Sequence, residues 1–252
     1  RFDLQQVPLL RLSLIDVGQA GQQLLVSHHH AILDGWSVRV VMDAVARCWD
    51  DPDAVLPPPP SFRRYVRQIR QRNPQRDAYW ETQARRMSRT PLPLGLPLRQ
   101  ASERKQVLPF TLDEATTRRL SDFARREQLT VSTLVQGAWA RLLQACAGGE
   151  TVLFGMTISG RHAALAGMDQ MAGLLINTVP TVIDLPADRS VRDWLRDVQQ
   201  QQRQNERHGD VALTDIKSAA GLNSSDALFD TLLVFENYPG AGEQEAQAVD
   251  VE

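Results

Sequence analysis

One short stretch of the chain concentrates side chains that could do chemistry: Ser27-His28-His29-His30-Ala31-Ile32-Leu33-Asp34-Gly35-Trp36-Ser37. The run from Gln22 to His30 has the composition of a strand, in which successive side chains point to opposite faces. His28 and His30 are therefore expected on one face and His29 on the other. Asp34 and Gly35 then predict a tight turn before a helix. The three histidines are not interchangeable.

Three interpretations of this stretch are open. In the first, the histidines and Asp34 are ordinary hydrogen-bonding groups of a core and a turn. In the second, His28 and His30 chelate a metal ion with Asp34 or His162 as third ligand. In the third, His30 is an acid–base group, since imidazole titrates near neutral pH. The residue types alone are compatible with all three.

Composition limits the class of protein. With 252 residues, 42% apolar and 23% charged, the chain has the values of a globular protein of one large or two small domains. No apolar run approaches the roughly 18 residues of a membrane-spanning helix. A formal net charge of −2 provides no basic field for nucleic acid. Cys48 and Cys146, on helix-like stretches without metal spacing, are expected to be reduced core residues of a cytoplasmic protein.

Apolar spacing and turn residues predict α/β architecture in the first half of the chain. A hairpin is followed by a helix over about 37–49 and, after the proline run 57–60, by a partly helical segment over 62–86. The proline-rich stretch 91–105 predicts a linker. We place the main internal boundary near residue 103, which divides the chain into 1–103 and 104–252.

The second half continues the alternation of helices and strands. A capping box at Thr111 and a second start at Thr130 predict helices, and another helix is expected over about 190–204. Strands are predicted over 151–158, 177–183 and 231–235. The loop between the first two of these strands contains Ser159, Gly160, Arg161 and His162.

The stretch His29–Gly35 fits the HHxxxDG signature, and the chain thereby resembles the condensation domains of nonribosomal peptide synthetases. Four further segments resemble the family in the same order, so that the resemblance covers essentially the whole chain: Phe2–Arg11, Phe154–Arg161, Gly173–Pro180 and Phe235–Pro239. Two positions depart from the family pattern. Phe62-Arg63-Arg64-Tyr65-Val66 replaces an aromatic segment, and His162 stands where Pro is common.

The resemblance implies a chloramphenicol-acetyltransferase-like fold of two α/β lobes with a tunnel between them. It also implies truncation at both ends, since family segments would precede Arg1 and follow Glu252, and little activity is expected of these 252 residues alone. The implied reaction joins a donor thioester to an acceptor amine, both delivered on 4′-phosphopantetheine arms by donor and acceptor carrier proteins. An adjacent adenylation domain is expected, whereas a metal or a cofactor bound by the domain itself is not.

The resemblance also assigns roles to individual residues. His30 and the backbone N–H of Gly35 are implied to be catalytic, and His29 and Asp34 structural. Arg161 is the candidate partner of Asp34, against the alternative of a solvated loop arginine. The candidate tunnel residues are Ser159, Gly160, Asn177 and Trp36, of which Asn177 is alternatively a strand-end hydrogen-bonding residue and Trp36 a core aromatic. Ser37 is expected to cap the helix.

Two other functions remain open from the sequence. One is an ester-forming or chain-initiating acyltransferase of the same superfamily. The other is a catalytically silent domain that recruits carrier proteins, against which the presence of His30 counts.

Overall fold

The computed structural model describes residues 2–88, 107–161 and 165–236. Its main elements, in chain order, are β1 (Leu10–Asp16), β2 (Gln22–His28), α1 (Gly35–Asp50), α2 (Phe62–Ile69), α3 (Pro74–Ala84), α4 (Glu114–Glu127), α5 (Val131–Ala147), β3 (Thr151–Ile158), β4 (Asn177–Asp184), α6 (Val191–Arg207), α7 (Leu213–Ala219) and β5 (Leu232–Leu233). Helices and strands therefore alternate as the sequence predicts. No helix in these ranges is both long and apolar enough to cross a membrane.

The chain forms two compact units that are not consecutive halves of the sequence. The described residues of the first unit are 2–71, 159–161, 165–176 and 236. Those of the second unit are 72–88, 107–158 and 177–235. The predicted lobe boundary near residue 103 falls outside the described residues and stays a prediction. Arg161 lies beyond that boundary in sequence but belongs to the first unit.

In the first unit, β1 and β2 form an antiparallel hairpin in which Leu10 pairs with His28 and Asp16 with Gln22. The prediction that this strand continues to His30 is wrong by two residues. The backbone N–H of His29 donates to Leu9 O and that of Ile32 donates to His29 O, so a turn begins there. Strand alternation therefore does not determine the direction of the His30 side chain.

A small apolar cluster holds the rest of the first unit together. It consists of Tyr65 from α2 with Met168, Met171 and Leu175, all buried. Burial of such side chains contributes roughly 1.5–3 kcal/mol each. The segment from Met168 to Leu175, which also contacts the residues around Asp34, is fixed in this way.

The second unit is built on a three-stranded sheet of order β4-β3-β5. β3 is antiparallel to β4 and parallel to β5. The middle strand β3 has almost entirely buried side chains, among them Leu153, Phe154 and Met156, which explains its continuous apolar sequence. The helix side of this core comprises Ala140 and Leu143 from α5 and Trp194, Leu195 and Val198 from α6.

Several local predictions need correction. Cys48 and Cys146 are exposed, so the prediction of core cysteines is wrong. The predicted segment 62–86 is two helices, since Asn73 and Pro74 start α3 anew, with the Asn73 side chain accepting from Arg76 N at 3.1 Å. The residue that caps α4 is Asp113 and not Thr111, because its carboxylate accepts from Thr116 N at 2.7 Å. The start of α5 at Thr130 is confirmed.

Candidate active site

Asp34 is the N-cap of α1 and is completely buried. Its Oδ1 accepts from Ser37 N at 2.8 Å and from Arg161 Nη2 at 3.1 Å. Its Oδ2 accepts from Arg161 Nη1 at 2.9 Å, and from the backbone N–H groups of Leu175 and Ile176 at 2.9 and 3.3 Å. Every acceptor position of the carboxylate is therefore used within the first unit. This carboxylate can neither ligate a metal nor take a proton from a substrate without breaking these bonds.

Burial is the largest single influence on the pKa of Asp34 and raises it, but the hydrogen bonds from Arg161, Leu175 and Ser37 together outweigh burial. The net result is a pKa below the ordinary value of an aspartate. Asp34 is thus ionised at neutral pH, which suits a carboxylate that anchors an arginine.

A pH dependence of stability follows from this shift. The folded-state pKa of Asp34 lies below the unfolded value of about 3.9, so its contribution is fully present above that value and is lost as pH falls through the folded pKa. We expect an Asp34→Asn variant to differ most from wild type in free energy of unfolding at pH 7, with the difference shrinking below about pH 4. Urea denaturation between pH 7 and pH 3 measures it, and a difference independent of pH would contradict the assignment.

Arg161 is the partner of Asp34, as predicted, and its side chain is only 6% exposed. Besides the two bonds to the carboxylate, Nη2 donates to Ser37 Oγ at 2.9 Å and to Met171 O at 3.2 Å. Its guanidinium carbon lies 5.5 Å from the centre of the Trp36 ring, within cation–π distance. The alternative of a solvated loop arginine is therefore wrong.

Trp36 is half-buried beside this ion pair. Its indole Nε1 donates to Asp169 O at 2.8 Å. Both the ring face and the N–H of Trp36 thus have partners inside the first unit. Its predicted role in a tunnel stays a prediction.

Ser37 is also completely buried, and it is not the cap that the sequence predicts, because Asp34 takes that position. Its Oγ donates to Gly173 O at 2.6 Å and accepts from Gly173 N at 2.9 Å, in addition to accepting from Arg161. The hydroxyl thereby connects the first turn of α1 to the backbone of the 168–175 segment. All of its hydrogen-bonding capacity is used, so it is not an available nucleophile.

Removal of this hydroxyl is expected to be costly. In a Ser37→Ala variant the N–H and C=O of Gly173 lose a buried partner, which costs about 1–3 kcal/mol in free energy of unfolding. Urea denaturation measures the change. The matched control is Ser61→Ala, since Ser61 precedes α2, is exposed and forms no capping bond, and that change is expected to stay within about 0.5 kcal/mol. Equal losses in the two variants would contradict the role given to Ser37.

The three histidines have different environments. His29 Nδ1 accepts from Ala31 N at 3.1 Å, and its ring lies edge-on to Phe2 with centroids 6.4 Å apart. His28 is half-buried, and its pKa is lowered by burial first and then by the charges of His30 and His29, which favours the neutral ring. His30 is exposed, and its ring forms no hydrogen bond with any part of the chain that the structure describes. His30 is thus the one of the three that is both accessible and unengaged within those ranges.

Gly35 is the first residue of α1 and is exposed. An α-helix leaves its first N–H groups without an internal partner, and they carry the positive end of the helix dipole. Asp34 Oδ1 takes the N–H of Ser37, and the first helical bond, from Val38 N to Asp34 O, takes that of Val38. The N–H of Gly35 is placed to serve as a donor outside the helix.

The loop residues predicted to line a tunnel have other contacts in the structure. Ser159 is exposed, and its Oγ accepts from Arg161 N at 3.3 Å. Asn177 Nδ2 donates to Gly209 O and to Val211 O, both at 2.7 Å, which fits the strand-end interpretation of this residue. His162 lies outside the described residues.

Gly160 has a backbone reason to be glycine. Its φ is +65°, and a Cβ built there would lie 1.8 Å from Leu175 O. The close approach brings the loop that carries Arg161 against the segment that donates to Asp34. The glycine therefore contributes to the geometry of the ion pair itself.

This predicts a large effect of a single methyl group. A Gly160→Ala variant is expected to lose clearly more than the roughly 1–2 kcal/mol of left-handed backbone strain, because the backbone of Leu175 must also move. The control is Gly221→Ala, where φ is +73° but no atom lies within 4 Å, so that only the strain remains. Chemical denaturation of both variants gives the comparison. A Gly160→Ala loss no greater than that of Gly221→Ala would contradict the steric argument.

A metal site finds no set of ligands in the part of the chain described. No group of three or more His, Cys, Asp or Glu residues there is arranged to hold a metal ion. Asp34, one of the two third ligands considered, has all its oxygen positions occupied by protein donors.

Some site contributions are invisible in the sequence. The donors to Asp34 from Leu175 and Ile176, and the two bonds between Gly173 and Ser37, are made by backbone groups that any residue possesses. The segment around Gly173 is recognisable only by its resemblance to the GxxxNTxP motif. No residue type in it signals that it binds the carboxylate.

Comparison with known proteins agrees with this fold and site. A family model described as "Condensation domain" matches residues 1–251. In structure, the chain superposes with a TM-score of 0.76 and 22% sequence identity on holo-AB3403, a four-domain nonribosomal peptide synthetase bound to AMP and glycine. That match covers 95% of this chain and 19% of the other. The α/β, chloramphenicol-acetyltransferase-like fold class is confirmed, and the chain belongs to the condensation domain family.

Two sequence relatives come from Brevibacillus parabrevis. One of the proteins that make up its linear gramicidin synthase is 35% identical over 99% of this chain, which spans 5% of that protein. Tyrocidine synthase 2 is 31% identical over 94% of this chain, which spans 7% of it. The chain thus corresponds to a small part of these relatives, and the resemblance to condensation domains of nonribosomal peptide synthetases is confirmed.

Proposed function

We propose that this domain forms an amide bond within a nonribosomal peptide synthetase. The donor is an acyl or peptidyl thioester, the acceptor is the amine of an aminoacyl thioester, and carrier proteins present both on 4′-phosphopantetheine arms. An adenylation domain adjacent in the parent chain and a cytoplasmic location are parts of the same proposal. Membership of the condensation domain family supports it.

The observation that carries the proposal is the division of labour between the signature residues. Asp34 is buried and bonded at both oxygens, whereas His30, four residues earlier, is exposed and makes no hydrogen bond to the described residues. A fixed turn with an accessible imidazole is what acid–base chemistry on a bound substrate needs. The same arrangement argues against a purely structural role for His30.

The chemistry fits these residues. The amine nitrogen attacks the thioester carbonyl carbon, the C–S bond breaks, and the proton lost by the amine is delivered to the departing thiolate. An α-amine has a pKa of roughly 7.7–8.0, so its neutral, nucleophilic form is available near neutral pH. His30 is proposed to accept the proton or to orient the amine, and the N–H of Gly35 to stabilise the negative charge on the carbonyl oxygen. A thioester is already activated, so the domain itself is expected to bind no cofactor.

The experiment compares acceptor nucleophiles. The full-length parent protein is incubated with a donor-loaded carrier and with acceptor carriers bearing either an aminoacyl or the matching hydroxyacyl group. The proposal predicts an acyl-extended aminoacyl carrier by intact-mass spectrometry. Extension of the hydroxyacyl carrier alone would assign the domain to the ester-forming relatives. Absence of transfer to either acceptor, with both carriers bound, would assign it to the silent recruiting domains.

A further inference from the structure

The short helix α2 has two sharply different sides. Its apolar residues Phe62, Tyr65, Val66 and Ile69 follow the i, i+3, i+4, i+7 spacing of one helix face and belong to the cluster with Met171. This face is therefore packed inside the first unit.

The other side of α2 and its last turn carry four exposed arginines, Arg63, Arg64, Arg67 and Arg70, which we call the arginine face. On a helical projection the first three lie on the side opposite the apolar residues. The arginine face thus consists of guanidinium groups presented to solvent.

The charge of the arginine face is not neutralised locally. No acidic residue occurs between Asp53 and Asp77. Within the described ranges, none of the four arginines forms an ion pair, whereas exposed arginines of α4 and α6 do, as in Arg118 with Glu114 and Arg196 with Asp193. Exposed charges of one sign attract an oppositely charged partner over about a Debye length, ~8–10 Å.

The chemistry of the partner follows from what accompanies these arginines. A membrane surface would be expected to use apolar residues beside the basic ones, but those of α2 are packed on Met171 and Leu175. A nucleic acid calls for a broad basic surface, whereas the chain carries a net charge of −2. A protein surface with several carboxylates matches a patch of this size, since planar guanidinium groups bind carboxylates bidentately.

We propose that the arginine face docks an acidic surface of a carrier protein. This rests on the proposed function, which requires such a partner to deliver the thioester. The position supports it, because α2 packs on the segment whose Met171 O and Leu175 N bind Arg161 and Asp34. A carrier on the arginine face is separated from that segment by one helix diameter, about 10–12 Å.

The test uses the full-length parent protein with charge reversal at one pair, Arg63→Glu with Arg67→Glu. The matched control is Arg203→Glu with Arg207→Glu on α6, a pair with the same spacing and also exposed. Condensation is measured with carrier-bound donor or acceptor and, separately, with the same acyl or aminoacyl group as a carrier-free pantetheine thioester. Urea denaturation shows that each variant is folded, and a folded single variant Arg67→Glu replaces the pair if it is not.

The arginine-face variant is expected to lose about tenfold or more in kcat/KM for the substrate on the docking carrier at low salt, with a smaller loss at high salt. The carrier-free thioesters and the α6 control are expected to react as in wild type. Unchanged kinetics with both carriers would overturn the inference. So would an equal loss with carrier-free thioesters, since docking does not act on them.

A second readout separates the inference from the proposed function. Direct binding of each carrier protein to wild type and variants is measured by calorimetry. If wild type condenses nothing, the proposed function fails, and docking stands only when the arginine-face variant binds a carrier more weakly. Equal binding, or binding of RNA or anionic lipid vesicles in place of carriers, would overturn the inference.

Discussion

A His30→Ala variant of the full-length protein is expected to transfer the donor acyl group about 10²–10⁴ times more slowly than wild type, the usual contribution of a general acid–base group. The ring is exposed and unbonded to described residues, so the free energy of unfolding is expected to change by no more than about 0.5 kcal/mol. Single-turnover kinetics with excess protein over loaded carriers, together with urea denaturation, measures both quantities.

A second substitution distinguishes the two roles left open for His30. His30→Gln keeps a hydrogen-bonding side chain of similar reach but cannot accept a proton near neutral pH. If His30 moves the proton, the Gln variant is expected to be as slow as the Ala variant. If His30 orients the amine, the Gln variant is expected to recover part of the rate. Wild-type rates in both variants would contradict a role for His30 in the reaction.

The second large effect concerns Arg161. An Arg161→Met variant keeps most of the side-chain volume but leaves the Asp34 carboxylate buried without its cation. Such a loss is expected to cost about 3–5 kcal/mol in free energy of unfolding, measured by chemical denaturation. Because Asp34 and the 171–176 segment lose a common partner, transfer activity is also expected to fall.

The control for Arg161 is an ion pair of similar length on the surface. Arg189 contacts Asp197 at 3.0 Å, but both side chains are about half exposed. Arg189→Met is therefore expected to cost no more than about 1 kcal/mol. A cost for Arg161→Met as small as that for Arg189→Met would mean that the buried pair does not hold the turn.

Local patterns in the sequence predict much of the fold because they report local physics. The apolar spacing of α1 and α5 and the β-formers of β3 are sufficient for element type. Element ends are less predictable, since they depend on competition between neighbours. Asp34, not Ser37, caps α1 because it is the residue that the turn places beside the first free N–H groups. β2 ends at His28 because the backbone of His29 enters a turn.

The site is predictable as far as side-chain identity reaches. The resemblance to the condensation family gives His30, Asp34 and Arg161, and the ion pair between the latter two is present. Long-range contacts through the backbone are not predictable, since Gly173 binds Ser37 across 136 positions of sequence by groups common to all residues. The prediction for Cys48 and Cys146 fails for a related reason, because apolar spacing alone does not determine which edge of a helix is covered.

The arginine face shows how a departure from a family pattern becomes informative once exposure is known. In the sequence, Phe62-Arg63-Arg64-Tyr65-Val66 is only a weak match to the family's aromatic segment. In the structure, Phe62, Tyr65 and Val66 keep the packing role, while Arg63 and Arg64 are exposed. The change therefore lies on the surface that a partner can reach.

The most direct test of the central claim is a single-turnover reaction in which the masses of both carriers are followed in the full-length protein. The account predicts that the donor carrier loses its acyl group as the acceptor carrier gains the same acyl mass, at a rate that depends on His30. Loss from the donor without gain on the acceptor would indicate thioester hydrolysis and would contradict amide formation. An acyl transfer that proceeds equally fast without His30 would contradict the mechanism.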